Sequence, residues 1–189
     1  MKKTVLTTAM LAAAAFAHAE PVTYAIDPGH TFVTYEIGHF GTSTNRGRFD
    51  KKEGTVVLDT AAKTGRVNLN IDIKSVSTGF TPMNTHLLSD DFFAAEKFPT
   101  ATFVGDKFTF NGDKVSEVAG NLTLRGKTSP VTLKATNFNC YDSPIVKRQV
   151  CGGDFETIVD RTQFGVDYGL AYGFSKNVKL VIQVEAIKQ

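Results

Sequence analysis

Polar and apolar residues alternate with a period of two along most of the chain. The clearest run is residues 66–74, where Val67, Leu69, Ile71 and Ile73 alternate with Arg66, Asn68, Asn70, Asp72 and Lys74. That spacing gives a strand with one buried and one wet face, as in an antiparallel sheet. The same pattern predicts strands over residues 22–26 and 31–37, set as an antiparallel pair about an Asp27-Pro28-Gly29 turn. Further strands are predicted over residues 55–58, 118–124, 131–135, 155–159 and 178–186. Residues 101–110 place Phe103, Phe108 and Phe110 around a turn at Gly105-Asp106, residues 38–54 form a connection anchored by Phe49, and residues 59–65 form a hairpin loop.

Residues 81–103 break the alternation. A short helical segment is predicted near residues 82–95, with Asn84 or Thr85 as its cap, Leu87 and Leu88 as its apolar side, and Asp90-Asp91 leading into Phe92 and Phe93. Pro99 ends it, because its ring fixes φ and it donates no N–H. Adjacent phenylalanines cannot share one face of a strand, but both can lean onto an apolar body from a helix or turn. The segment therefore reads as a plug against the end of a β structure, or as a connection packed on a closed core. Eight or nine strands with wet outer faces close most naturally into a barrel, so the predicted class is all-β, an eight-stranded antiparallel barrel with one short helix. The interior of such a barrel is just wide enough to be filled by side chains or to hold one small ligand.

Composition adds a location. Lys2 and Lys3, an uncharged run over residues 4–16 and Ala17-His18-Ala19 have the form of a secretory signal peptide cut after Ala19. The apolar run is shorter than the roughly 20 residues a spanning helix needs. Residues 20–189 then form a single exported domain, expected in the periplasm. The two signal lysines account for the formal net charge of +2, so the exported part is neutral and has no long-range attraction for nucleic acid. Cys140 and Cys151, an even pair bound for an oxidising compartment, are expected to form a disulfide.

Candidate chemistry is sparse. His30, His39 and His86 lack any metal-ligand spacing. No G-x-S-x-G elbow occurs, and Gly126-Lys127-Thr128 leads through Pro130 into a strand where a phosphate loop needs a helix. The acidic pairs Asp90-Asp91 and Asp154/Glu156 read as caps and solvated loops. No catalytic residue, metal or cofactor is assigned, and the chain is not read as an enzyme. What stands out is apolar: fourteen phenylalanines follow the signal segment and tryptophan is absent, which suits a packed barrel or an oily pocket.

Several short pieces share an order and spacing: Tyr24-x-Ile26-Asp27 before His30, Ile37-Gly38-His39, Gly47-Arg48-Phe49, His86-Leu87 with Asp91-Phe92-Phe93, and Phe98-Pro99-Thr100-Ala101-Thr102-Phe103. Gly120-x-Leu122-Thr123-Leu124-x-Gly126-x-Thr128-x-Pro130-Val131-Thr132-Leu133 and Arg161-Thr162-Gln163-Phe164-Gly165 complete the set. On these pieces, over residues 24–188, the chain resembles the YceI-like proteins, lipocalin-like exported proteins whose members bind polyisoprenoid lipids. The resemblance implies an eight-stranded barrel holding a long isoprenoid, quinone-like or prenol-like, as ligand.

On that reading the lining is Val33, Tyr35, Val67, Leu69, Ile71, Phe103, Leu122, Leu124, Leu133 and Ile182, with Phe92 and Phe93 against them and His86 near a head group at the mouth. Met83, Asn84 and Thr85 precede that histidine where many members carry charged residues. The function expected is a carrier or store for an isoprenoid lipid, in transient contact with a membrane or membrane protein. The alternative is a stress-related structural or interaction protein with a filled barrel, such as a homodimer.

Overall fold

The computed structural model describes residues 20–189; the expected signal peptide lies outside them. Eleven strands join in one antiparallel sheet. In chain order they are β1 (Val22–Ile26), β2 (Phe32–His39), β3 (Ser43–Phe49), β4 (Lys52–Asp59), β5 (Thr64–Asp72), β6 (Val76–Ser77), β7 (Thr100–Asn111), β8 (Lys114–Leu124), β9 (Lys127–Asp142), β10 (Gln149–Asp160) and β11 (Asn177–Lys188). One α-helix, α1 (Thr81–Leu88), lies between β6 and β7. Short breaks make single bent strands of β1 with β2, β3 with β4, and β5 with β6. With β7 to β11 these give the eight staves of a barrel. The ring closes where β1 pairs with β11, Tyr24 opposite Lys188 and Ile26 opposite Ala186.

The strands form because alternate apolar side chains share the barrel interior. Tyr24, Ile26, Val33, Phe49, Leu58, Ile71, Phe103, Val118, Val131, Phe138, Phe155 and Ile182 are all buried in one core. α1 buries Leu87, and the turns after it bring the Phe93 ring to 5.8 Å from that of Phe49. Pro99 does end this segment: its carbonyl accepts from Ile73 N at 2.9 Å, starting the ladder that β5 and β7 share.

Five local expectations are corrected. β1 and β2 do not pair with each other; both run along β11, and between them the Asp27 carboxylate accepts from Gly29 N at 2.8 Å. The kink moves the inward positions from Tyr24 and Ile26 to Val33 and Tyr35, a change of parity that an unbroken strand cannot make. Residues 38–54 are mostly strand, because β2 and β3 make a hairpin in which Arg46 and Arg48 point to water beside Glu36 and Asp50. Gly105-Asp106 is no turn. β7 runs through it with a register shift, and that bulge carries the inward face from Phe103 and Gly105 to Phe108 and Phe110. The reversal comes later, at Gly112 with φ 62°. The helix starts at Thr81 with Pro82 in its first turn and no side-chain cap; Asn84 Oδ1 instead accepts from Thr78 N at 2.8 Å. Beyond Leu88 the segment is a set of turns.

The expected disulfide joins Cys140 to Cys151. These residues face each other across the β9–β10 ladder, so only the turn between those strands is loop.

Candidate functional site

Three cavities lie in series inside the barrel. The innermost, about 110 Å³, is walled by side chains from the closed end and the waist, including Tyr24, Val67, Leu69, Phe103, Leu133, Phe138 and Ile182. The middle cavity, about 140 Å³, lies against the plug and is walled by Phe49, Ile73, Leu87, Phe93, Leu124 and Phe164 among others. The two share Val33, Ile71, Leu122 and Leu180, which make an inner collar. The third is a chamber of about 550 Å³ at the mouth, between α1, the β2–β3 hairpin and residues 161–174. It shares Tyr35, Ile37, Leu87, Phe92 and Arg161 with the middle cavity, an outer collar.

The inner two cavities have almost wholly apolar walls because nearly all the side chains that line them are aliphatic or aromatic. The polar exceptions are informative. Burial pushes the Tyr35 hydroxyl up to about 12, so it remains a neutral phenol at the outer collar. Arg161 is buried, and its guanidinium is committed to the backbone: Nε donates to Ser175 O at 2.9 Å, Nη1 to Val166 O and Tyr168 O at 2.8 Å each. It holds residues 161–175 in place over the chamber. Arg125 does a parallel task from the β8–β9 turn, donating to Gly165 O and, at 2.7 Å, to Asp90 O.

The mouth chamber is aromatic on two sides. His39, Phe40 and Phe174 pack with centroids 4.7 to 5.2 Å apart. Facing them, His86, Phe92 and Tyr168 pack at 4.9 to 5.1 Å. His86 Nε2 is 3.1 Å from Asp91 Oδ2, and His30 is 2.8 Å from Asp27 outside this chamber. Among the described residues no group of three or more His, Cys, Asp and Glu is placed to hold a metal.

Val33, Val67, Leu69, Ile71, Phe103, Leu122, Leu133 and Ile182 all stand on the wall of the innermost cavity. Phe93 and Leu124 wall the middle one, Tyr35 and Phe92 stand at the outer collar, and His86 faces the mouth chamber.

A YceI-like domain matches residues 24–186. The chain belongs to the YceI-like family. Among YceI-like relatives, a UPF0312 protein of Shewanella denitrificans is 35% identical over 173 residues, covering 88% of this chain and 87% of the relative. Protein YceI of Salmonella arizonae is 34% identical over 161 residues, covering 85% and 83%. Among solved structures, the YceI-like barrel matches BcnA of Burkholderia cenocepacia at TM-score 0.70 and 24% identity, covering 85% of this chain and 99% of that one. A polyisoprenoid binding domain from Saccharophagus degradans matches at TM-score 0.62 and 16% identity, covering 89% and 99%. These two share the fold.

Sequence reasoning missed most of the YceI-like mouth. His39, Phe80, Met83, Arg161, Tyr168, Tyr172 and Phe174 line the chamber, yet they come from three separated segments with no common period. The Arg161-Thr162-Gln163-Phe164-Gly165 piece was the available signal, since a charged residue beside a buried Phe164 marks a fixed turn.

Proposed function

We propose that the protein is a non-enzymatic carrier or store for a long isoprenoid lipid, working in the periplasm after export. The observation that supports this most strongly is the series of three cavities. A compact ligand needs one pocket, whereas a chain threading two collars needs several in line. Each methylene or methyl taken from water into such a wall contributes about 0.8 kcal/mol, so a long apolar chain needs few polar contacts for tight binding. The structural likeness to a polyisoprenoid binding domain points to the same ligand class. The neutral Tyr35 and the aromatic chamber suit an uncharged head group of quinone or prenol type.

The test is mass spectrometry of an organic extract from the exported protein, purified without detergent, beside a Leu122→Phe/Leu180→Phe variant that thickens the inner collar. A stoichiometric isoprenoid in the native sample, replaced by shorter chains in the variant, is the expected result. Absence of lipid together with failure of added prenols to bind would overturn the reading in favour of a filled-barrel interaction protein.

A further inference from the structure

The mouth of the barrel carries apolar side chains that the fold does not need. Phe40, at the tip of the β2–β3 hairpin, is 57% exposed; Phe80, ahead of α1, is 61% exposed; Tyr172, in the loop over the chamber, is 69% exposed. Met83 and Tyr168 are also exposed beside them. Phe40 further adopts φ 50°, a left-handed conformation that a bulky side chain seldom takes and that a glycine would take freely. A large ring, packed on one side against His39 and Phe174, thus keeps more than half of its surface toward water at a position where the backbone disfavours a bulky side chain.

Most charges at this end are matched. Arg46 is held by Glu36 at 2.7 Å, Lys176 by Asp160 at 3.0 Å, and Arg161 by backbone carbonyls. Among the described residues Lys127, exposed beside Gly165, is left without an ion-pair partner, one cation against a rim of large apolar side chains, whose complement is therefore a mainly uncharged, amphipathic surface. The opposite end differs: the β9–β10 turn presents Ile145, 87% exposed, and Val146, followed by Lys147 and Arg148. A surface of that kind binds anionic lipid in a salt-sensitive way.

On the reading that the cargo is an isoprenoid, we infer that the aromatic rim formed by Phe40, Phe80, Met83 and Tyr172 docks the barrel mouth-down on a lipid bilayer, through apolar insertion that does not depend on lipid charge. The cargo supplies the reason. An isoprenoid tail cannot cross water between bilayer and barrel without exposing many carbons at once. A mouth seated in the interface, where aromatic side chains partition well, lets the tail pass directly through the chamber.

The experiment is flotation of the exported chain with vesicles of phosphatidylcholine alone and of phosphatidylcholine mixed with phosphatidylglycerol, at low and high salt. The chain is expected to float equally with both, unaffected by salt. Phe40→Gly, which keeps the turn because glycine accepts its φ, is expected to bind vesicles about tenfold more weakly, while Ile145→Ser floats as the native chain does. No flotation with phosphatidylcholine would overturn the inference, as would binding that needs phosphatidylglycerol and is lost in salt, or a loss that follows Ile145→Ser in place of Phe40→Gly. Binding of farnesol in solution, followed by native mass spectrometry, separates the two readings. Farnesol bound without flotation leaves the cargo and removes the docking; mouth-dependent flotation without farnesol binding keeps the docking and removes the cargo.

Discussion

At the scale of single residues, polar groups set the mouth more than they set the core. The Asp160 carboxylate accepts from Thr162 Oγ1 and N and pairs with Lys176, and these contacts hold it at about 2, below its ordinary value. A lowered carboxyl value means stability that is complete above the unfolded value near 4 and is lost as pH falls through about 2. Asp160→Asn is therefore expected to lower the urea midpoint at pH 7, with the gap to the native chain closing as the pH is brought from 4 to 2. Arg161→Met should destabilise by about 3 kcal/mol, because three carbonyls lose their donor in a buried place. Chemical denaturation gives that value, and faster proteolysis within residues 161–176 would show where the loss is felt. Gly47 lies under the Tyr35 ring, and a Cβ there would sit 2.5 Å from the hydroxyl. Gly47→Ala must move that ring within the outer collar, at about 1–3 kcal/mol, and prenol binding measured by titration should weaken with it.

At the scale of elements, strands close together where glycine permits it. A Cβ on Gly120 would stand 2.3 Å from Val104 O across the β7–β8 ladder, so Gly120→Ala has to part the two backbones. A fall in stability of about 3 kcal/mol is expected, read from the urea midpoint. The elements also show what could be read beforehand. β5 and β11 were plain because their inward residues keep one parity from end to end. β1 with β2, and β7 along its length, change parity midway, and alternation alone turns such a change into a loop or a turn. β3 was hidden because its outer face is Thr44, Arg46 and Arg48, while on the inward side Gly47 and Phe49, preceded by the polar Asn45, are too few to make a pattern. Much of the inner cavity wall was legible by the same logic, since Val67, Leu69, Phe103, Leu122 and Ile182 are inward strand positions. The chamber was not, because Phe80, Tyr168 and Phe174 acquire a common direction only after loops distant in sequence are folded together.

At the scale of the whole molecule, the two ends of the barrel have different duties. At the end near Val22, the buried side chains of Tyr24, Leu58 and Phe138 stand between the innermost cavity and a surface pocket of about 380 Å³ that Cys140 of the Cys140–Cys151 bridge also lines. Replacing both cysteines by serine is expected to cost about 2–3 kcal/mol on the chain-entropy estimate for so short a loop. Prenol binding should change little, since the outer collar and chamber are at the other end. The breaks in the first three staves share one more property: they lie side by side. Asp50 N donates to Ser75 O, Asp72 N to Lys51 O and Asp27 N to Glu185 O, so residues 27–31, 50–51 and 73–75 form a crease running part-way round the wall, which ends where Pro99 O accepts from Ile73 N and β7 begins. The crease is also a line of parity: across it the buried positions pass from Tyr24 and Ile26 to Val33, from Phe49 to Leu58, and from Ile71 to Val76. A wall indexed in this way resists a one-residue slip of any single stave, since the slip would turn half of that stave inside out.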